Sequence, residues 1–203
     1  VKEEILFLKK WRNCDGISIA GGEPLLHPNI VEIIQFISDN GMKSLMLTNG
    51  YALNEELMLQ LKKAGLTGLS FHIDSTQIRP EFKKIKPEHE SDLNELRLSC
   101  ARKLKKISGL YSHFGITVTR KNLHEIPDLL KWAIDNMDVV GGISLITYRG
   151  VPAHEGIEFR NASGQKIPIL PGSLGYSIQP EEMENASVTS KEVYAVIKEH
   201  FPG

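Results

Sequence analysis

Residues Gly21, Gly22, Glu23 and Pro24 directly follow a short apolar run and combine residue types that suit a binding loop. Two successive glycines remove side chains where a ligand would contact the backbone, so the carbonyl and amide groups there can hydrogen-bond that ligand. Glu23 adds a carboxylate, and Pro24 stiffens the exit from the loop. We therefore predict a ligand site at the end of the strand that precedes Gly21.

Small polar or charged residues also follow the four later apolar runs. In chain order they are Thr48 with Asn49, His72 with Asp74, Thr119, and Arg149. Parallel sheets bind ligands at the carboxyl ends of their strands, because the following loops and helix N-termini point polar groups there. Polar residues at all five ends predict a single site along one edge of a sheet.

Apolar periodicity alternates between strand and helix over residues 1–149. Strands are predicted over residues 16–20, 44–47, 66–73, 113–119 and 142–147. Helices are predicted between them, and Ser91 is expected to cap the helix whose apolar stripe includes Cys100. This alternation predicts an α/β fold with parallel strands and right-handed crossovers.

The regular alternation ends near residue 149. We predict two parts, a core over residues 1–149 and a loop-rich extension over residues 150–203. Thr189 and Glu192 have the spacing of a capping box, which predicts a final helix that ends near His200.

Composition limits the partners. The 203 residues include 24 basic and 25 acidic side chains, so no net positive charge attracts nucleic acid or an anionic membrane. No uncharged apolar stretch approaches the roughly 18 residues needed to span a bilayer, and the amino terminus is too charged for a signal peptide. We expect a cytoplasmic protein. The chain begins with Val1 rather than Met, which we interpret as the start of an excised fragment.

The string GGEPLLHP at residues 21–28 resembles the GGEP motif of the radical S-adenosylmethionine superfamily. In that family the motif follows the second strand of an incomplete (β/α)6 barrel, a partial TIM-type fold. The strings TNG at 48–50, FHIDS at 71–75 and ITVTRKN at 116–122 fall where the family places its third, fourth and fifth strands. The resemblance covers about residues 1–149 and implies that the barrel's first strand is missing from this sequence.

The resemblance implies that the backbone of Gly21 and Gly22, aided by Glu23, holds the amino group of the methionine moiety of S-adenosylmethionine. It extends the predicted cofactor contacts to Pro24, Thr48, Asn49, His72, Asp74 and Thr119. His72 stands where many family members have a serine. It could donate to a carboxylate, act as an acid or base, or merely pack, and Asp74 could instead cap the following loop.

The family also carries a CxxxCxxC loop whose thiolates bind three irons of a [4Fe–4S] cluster. Cys14 and Cys100 are the only cysteines of this sequence, and neither can replace that trio. We therefore predict no metal ligand in these residues, a cluster loop upstream of Val1, and a fragment that is inactive by itself. In the intact protein the resemblance implies a 5′-deoxyadenosyl radical that activates a substrate C–H bond, with an electron donor such as flavodoxin or ferredoxin.

Longer strings such as FHIDSTQIRP at residues 71–80 resemble sequences of the branch of that superfamily that contains tetraether lipid synthases and pterin-modifying radical methylases. This favours a small-molecule or lipid substrate. Arg79 and Arg149 are candidates to bind a phosphate or carboxylate of that substrate, or they are ordinary solvated or surface-paired arginines. Two other functions stay open. One is a conventional barrel enzyme that binds a phosphate or metal at the same edge, for which the pair His72 and Asp74 is the only hint of an acid–base pair or ligand cluster. The other is a non-catalytic small-molecule-binding module.

Overall fold

The computed structural model describes residues 1–77, 79, 87–107, 110–149, 159–160, 163–167 and 183–202. Its α-helices are α1 Lys2–Arg12, α2 Ile30–Asp39, α3 Glu55–Lys63, α4 Asn94–Lys105, α5 Ile126–Asp135, α6 Met183–Ala186 and α7 Ser190–His200. Its strands are β1 Gly16–Ile19, β2 Lys43–Thr48, β3 Gly68–His72, β4 Tyr111–Val118, β5 Ile143–Thr147, β6 Phe159–Arg160 and β7 Lys166–Ile167.

Strands β1 to β5 form one sheet in sequential order, and β6 pairs with β7 in an antiparallel ladder. The first four strands are parallel: Ser18 is opposite Leu45, and Ser70 is opposite His113. Each of the five predicted strands is present within two residues of its expected ends. The predicted α/β class with a parallel sheet is therefore confirmed.

The chain divides into two compact units, which are described separately. The first unit contains Val1–Ile73, Asn94–Ile116 and Lys131–Ser144, and the second contains Asp74–Leu93, Thr117–Leu130 and Leu145–Gly203. The predicted division at residue 149 follows the chain rather than these compact units, and it stays a prediction.

In the first unit the helices cover one face of the sheet. Ile17 and Ile19 of β1 pack against a buried cluster made by Ile5 of α1, Ile37 of α2 and Met42. Burial of each such side chain contributes about 1.5–3 kcal/mol relative to exposure. Because strand side chains alternate between faces, the residues between these apolar positions lie on the opposite face.

The same face continues across the sheet through aromatic contacts. The rings of Phe71 and Phe114 stack with centroids 5.7 Å apart, and Phe114 meets the edge of Trp132 from α5 at 5.9 Å. Both phenylalanines are fully buried. Apolar runs in β3 and β4 were sufficient to predict these strands because this face is closed by helices.

Helix α4 differs from its prediction at both its start and its buried face. Ser91 lies in a short 3-10 helix over Glu90–Leu93, so it does not cap α4, which begins at Asn94. Cys100 is half-buried, whereas Leu98 is buried. Leu104 of the predicted stripe is buried as expected, and the buried face extends beyond that stripe on the side of Leu98.

Arg97 lies on this added part of the buried face and is fully buried. Its Nε and Nη2 atoms donate to the carbonyl of Ile73 at 3.1 and 2.9 Å, and Nη1 donates to Asn94 Oδ1 at 2.9 Å. The guanidinium also lies 5.9 Å from the Trp132 ring centroid. A charged residue thus takes a core position because its donors are satisfied there.

In the second unit, α7 begins with the predicted capping box. Thr189 Oγ1 accepts from the Glu192 amide, and the Glu192 carboxylate accepts from the Thr189 amide at 2.8 Å. Arg120 Nη1 donates to Glu192 Oε1 at 2.6 Å. That hydrogen bond, with the donors of Thr189, lowers the pKa of Glu192 to about 2.

No helix in the described ranges is long and apolar enough to cross a membrane. Much of the predicted extension over residues 150–203 lies outside the described residues, including 150–158 and 168–182. Its described parts are β6, β7, α6 and α7, and the predicted final helix is confirmed as α7.

Candidate functional site

The turn after β1 is formed by two exposed glycines with positive φ angles. Gly21 has φ +103° and Gly22 has φ +52°, values that L-residues rarely adopt. A Cβ atom built on either glycine would have no neighbouring atom within 4 Å. The glycines are therefore required by the backbone conformation, and the space beside the turn is open to a ligand.

Glu23 connects this turn to the end of β2. Its Oε1 atom accepts hydrogen bonds from the Leu25 amide at 3.1 Å and from Thr48 Oγ1 at 2.5 Å, and Oε2 accepts from the Asn49 amide at 2.8 Å. An ionised carboxylate has about four acceptor positions, so about one remains for a ligand. The structure thus brings Glu23, Thr48 and Asn49 together at the predicted edge.

Pro24 is buried and begins a short 3-10 helix that Glu23 caps. A cavity of about 660 Å³ lies beside it and is lined mainly by apolar side chains. These include Leu8 of α1 and the residues Ile17 and Ile19, which mark the helix-covered face of β1. Ser18 and Glu23 also line this cavity, so it borders the turn after β1.

His72 is the last residue of β3 and is half-buried. Asp74, in the second unit, is fully buried. Its Oδ1 atom accepts from the amide and hydroxyl of Thr76 at 3.0 and 2.6 Å, and Oδ2 accepts from the Thr117 amide at 2.8 Å. These bonds fit the second role predicted for Asp74, which is to cap the loop that follows β3. Its proposed contact with a cofactor stays a prediction.

The sequence analysis missed Glu90, which is 1% exposed in the second unit. Its Oε1 atom accepts from the Ser75 amide at 3.0 Å, from Ser75 Oγ at 2.5 Å and from Asn122 Nδ2 at 2.9 Å. Asn122 Oδ1 in turn accepts from the buried Thr119 amide at 2.7 Å. Glu90 lies in a charged string, EHESD at residues 88–92, that offers no periodic signal of burial.

The two candidate substrate arginines have different environments. Arg79 is 6% exposed, so the alternative of a solvated side chain is wrong for it. Arg149 follows β5 and is exposed. A role for either in binding an anionic group stays a prediction.

The cysteines do not fit an iron–sulfur cluster. Cys14 and Cys100 are both half-buried free thiols, and a cluster needs three neighbouring thiolates. Across the described ranges, no group of three His, Cys, Asp or Glu side chains is placed to hold a metal ion.

The family model described as "Radical SAM superfamily" matches residues 1–133. The 7,8-dihydro-6-hydroxymethylpterin dimethyltransferase of Methanocaldococcus jannaschii is 28% identical over 186 residues, 89% of this chain and 34% of that protein. The probable GTP 3',8-cyclase of the same organism is 31% identical over 122 residues, 59% of this chain and 39% of that protein. The chain thus spans well under half the length of these curated relatives.

Among solved structures, SuiB of Streptococcus suis matches with a TM-score of 0.52 and 18% identity, over 78% of this chain and 35% of that one. Its structure bound to S-adenosylmethionine matches with the same TM-score. At this identity the likeness concerns the fold alone, and it confirms an incomplete (β/α) barrel of the TIM type.

Proposed function

Because the chain belongs to the radical SAM superfamily, we propose that it is the part of a radical S-adenosylmethionine enzyme that holds the methionine end of the cofactor. The turn over Gly21, Gly22 and Glu23 is the proposed binding segment. The observation that carries this proposal is the open backbone of two positive-φ glycines, fixed to β2 through Glu23. When bound to a reduced cluster, the cofactor supplies a 5′-deoxyadenosyl radical for C–H activation.

The turn has the acceptors that an ammonium group needs. The methionine ammonium carries three donors, and backbone carbonyls of the turn together with the remaining acceptor position of Glu23 can receive them. Thr48 and Asn49 hold the carboxylate in place and thereby orient this acceptor. His72 and Asp74 are further proposed contacts to the cofactor, and Thr119 is the last.

The cluster itself would be held by residues outside this sequence. Three thiolates are required, whereas Cys14 and Cys100 are separate and half-buried. We infer a CxxxCxxC segment elsewhere in the intact protein, and a reducing partner of the flavodoxin or ferredoxin kind. The 203 residues alone are then inactive in cofactor cleavage.

The proposed substrate is a small molecule or lipid. The pterin dimethyltransferase aligns with 89% of this chain, which favours the pterin-modifying branch over the lipid one. A conventional acid–base enzyme is disfavoured, since the Asp74 carboxylate is buried and accepts three hydrogen bonds from its own unit. Arg149 is exposed and is the more accessible candidate for an anionic substrate group.

The test is Gly22→Val in a cluster-loaded longer form, with Gly41→Val as the matched control. Gly41 has φ +71° and, like Gly22, an open surrounding, so valine strains both turns in the same way. Gly41 follows α2, away from the proposed site. We expect Gly22→Val to weaken S-adenosylmethionine binding about 10- to 100-fold, measured by calorimetry, while Gly41→Val leaves it unchanged.

Equal affinity of a folded Gly22→Val protein and the wild type would contradict the proposal, because the glycines would then serve the turn alone. Equal loss in both variants would also contradict it, since the effect would come from general strain.

A further inference from the structure

The face of the first unit's sheet opposite the cluster of Ile5, Ile37 and Met42 carries a hydrogen-bonded set that the proposed cofactor site does not use. We call the set Ser70, His113 and Ser144 the serine–histidine cluster. Ser70 Oγ lies 3.1 Å from His113 Nδ1, and Ser144 Oγ lies 3.4 Å from His113 Nε2. The cluster thus links β3, β4 and β5 through one imidazole ring.

The position of the ring is fixed on several sides. A Cβ atom at Gly142 would lie 2.9 Å from His113 Cδ2, so the imidazole occupies space that only a glycine leaves free. Ser70 is 7% exposed and anchors the buried side of the ring, whereas Ser144 is exposed. The exposed hydroxyl keeps donor and acceptor capacity beyond its contact with His113.

Strand register shows which residues share this face. Leu47 is opposite Ser70, Ser70 is opposite His113, and His72 lies two residues beyond Ser70 toward the carboxyl ends of the strands. Among the described strand residues of the first unit that share the face, Lys43 is the one with a permanent charge. It lies at the amino-terminal end of β2, away from His72.

The surroundings of the imidazole favour its uncharged form. Partial burial lowers the pKa of His113 below its ordinary value of 6.5. A neutral imidazole has one donating and one accepting nitrogen, and each serine hydroxyl can do both. The cluster therefore offers paired donor and acceptor groups beside the apolar Leu47, with no charge to attract an anion.

We propose that the serine–histidine cluster binds an uncharged group of the substrate that carries adjacent N–H and C=O groups, such as a cyclic amide. This deepens the proposed function, on which it rests for the identity of the ligand as a substrate. Ser144 and His113 contact the group directly, and Ser70 orients the ring.

The experiment uses the 203-residue chain and hydantoin, a neutral cyclic amide, as the probe. Hydantoin is titrated while the ring signals of His113 are followed by NMR, assigned with His113→Gln. We expect saturable shifts of His113 in the millimolar range, with no shift of the exposed His200 at the end of α7.

Ser144→Ala should weaken hydantoin binding about 2- to 10-fold, the effect of one neutral hydrogen bond. Ser18→Ala is the matched control, because Ser18 is an exposed serine on the same face of the sheet and lies on β1, opposite Leu45 of β2. It should leave the affinity unchanged.

Absence of His113 shifts, or equal affinity in Ser144→Ala and wild type, would overturn the inference. Tighter binding of inorganic phosphate than of hydantoin would overturn it too, since the site would then select an anion. None of these measurements needs the iron–sulfur cluster or S-adenosylmethionine, so this inference and the proposed function can fail independently.

Discussion

The carboxylate of Glu23 accepts a hydrogen bond from the Asn49 backbone amide at 2.8 Å, which joins the glycine turn after β1 to the end of β2. Glu23 also accepts from Thr48 Oγ1 and the Leu25 amide. One side chain therefore holds both segments of the proposed methionine site, and its first role is to position the turn.

Glu23→Ala should lower the free energy of unfolding by about 2 kcal/mol, because three partly buried donors lose their acceptor. Glu23→Gln retains an acceptor oxygen and should lose less than half of that. Urea denaturation measures both. The control is Glu56→Ala, which removes an exposed contact to Gln60 and should change stability by about 0.5 kcal/mol or less. Equal stability of Glu23→Ala and wild type would show that the link is not formed in solution.

Asp74→Ala should be more destabilising, by about 3 kcal/mol, because the Thr76 and Thr117 amides are left buried without their acceptor. Asp74→Asn keeps an acceptor and is the variant to use where alanine prevents folding. Its loss should be about 1–2 kcal/mol by urea denaturation. Asp39→Ala, at the exposed end of α2, is the surface control. A loss in Asp74→Ala no larger than in this control would contradict the loop-capping role.

The pH dependence of stability should report His113. Its folded-state pKa is lowered by burial, so the unfolded chain binds its proton more readily. Its contribution to the free energy of unfolding is fully present above about pH 6.5 and is lost as the pH falls toward the lowered value. The wild type should therefore lose more stability than His113→Gln between pH 7 and pH 5, values chosen to bracket about 6.5. Parallel curves for the two proteins would contradict the lowered pKa.

The strands were predictable because their apolar runs face a layer of helices, as Phe71 and Phe114 do. The glycine turn was predictable because two successive glycines are typical of a backbone with positive φ. The buried charged side chains were not predictable. Arg97 and Glu90 are satisfied by partners distant in sequence, such as the Ile73 carbonyl and Asn122, so no local pattern marks them as buried.

The serine–histidine cluster was also missed. Ser70 and His113 are 43 positions apart and meet only through the register of β3 and β4. Ser144 joins them from β5. Each residue alone is an ordinary member of a strand, and only the alternation of side chains across paired strands brings the three together.

Anaerobic reconstitution of the 203-residue chain with iron and sulfide should leave it colourless, without a specific [4Fe–4S] signal in its EPR spectrum. The reason is that Cys14 and Cys100 supply two separate, half-buried thiols. A stoichiometric cluster on these residues would contradict the inference that its ligands lie elsewhere in the protein.

The most direct measurement is the formation of 5′-deoxyadenosine from S-adenosylmethionine by a longer, reconstituted form of the protein under reducing conditions. We expect the wild type and Gly41→Val to cleave the cofactor, and Gly22→Val to cleave it about tenfold or more slowly at limiting cofactor. Replacement of the cysteines of a CxxxCxxC segment should abolish cleavage. A longer form that lacks such a segment, or one that cleaves the cofactor equally well with Gly22→Val, would contradict the proposed cofactor site.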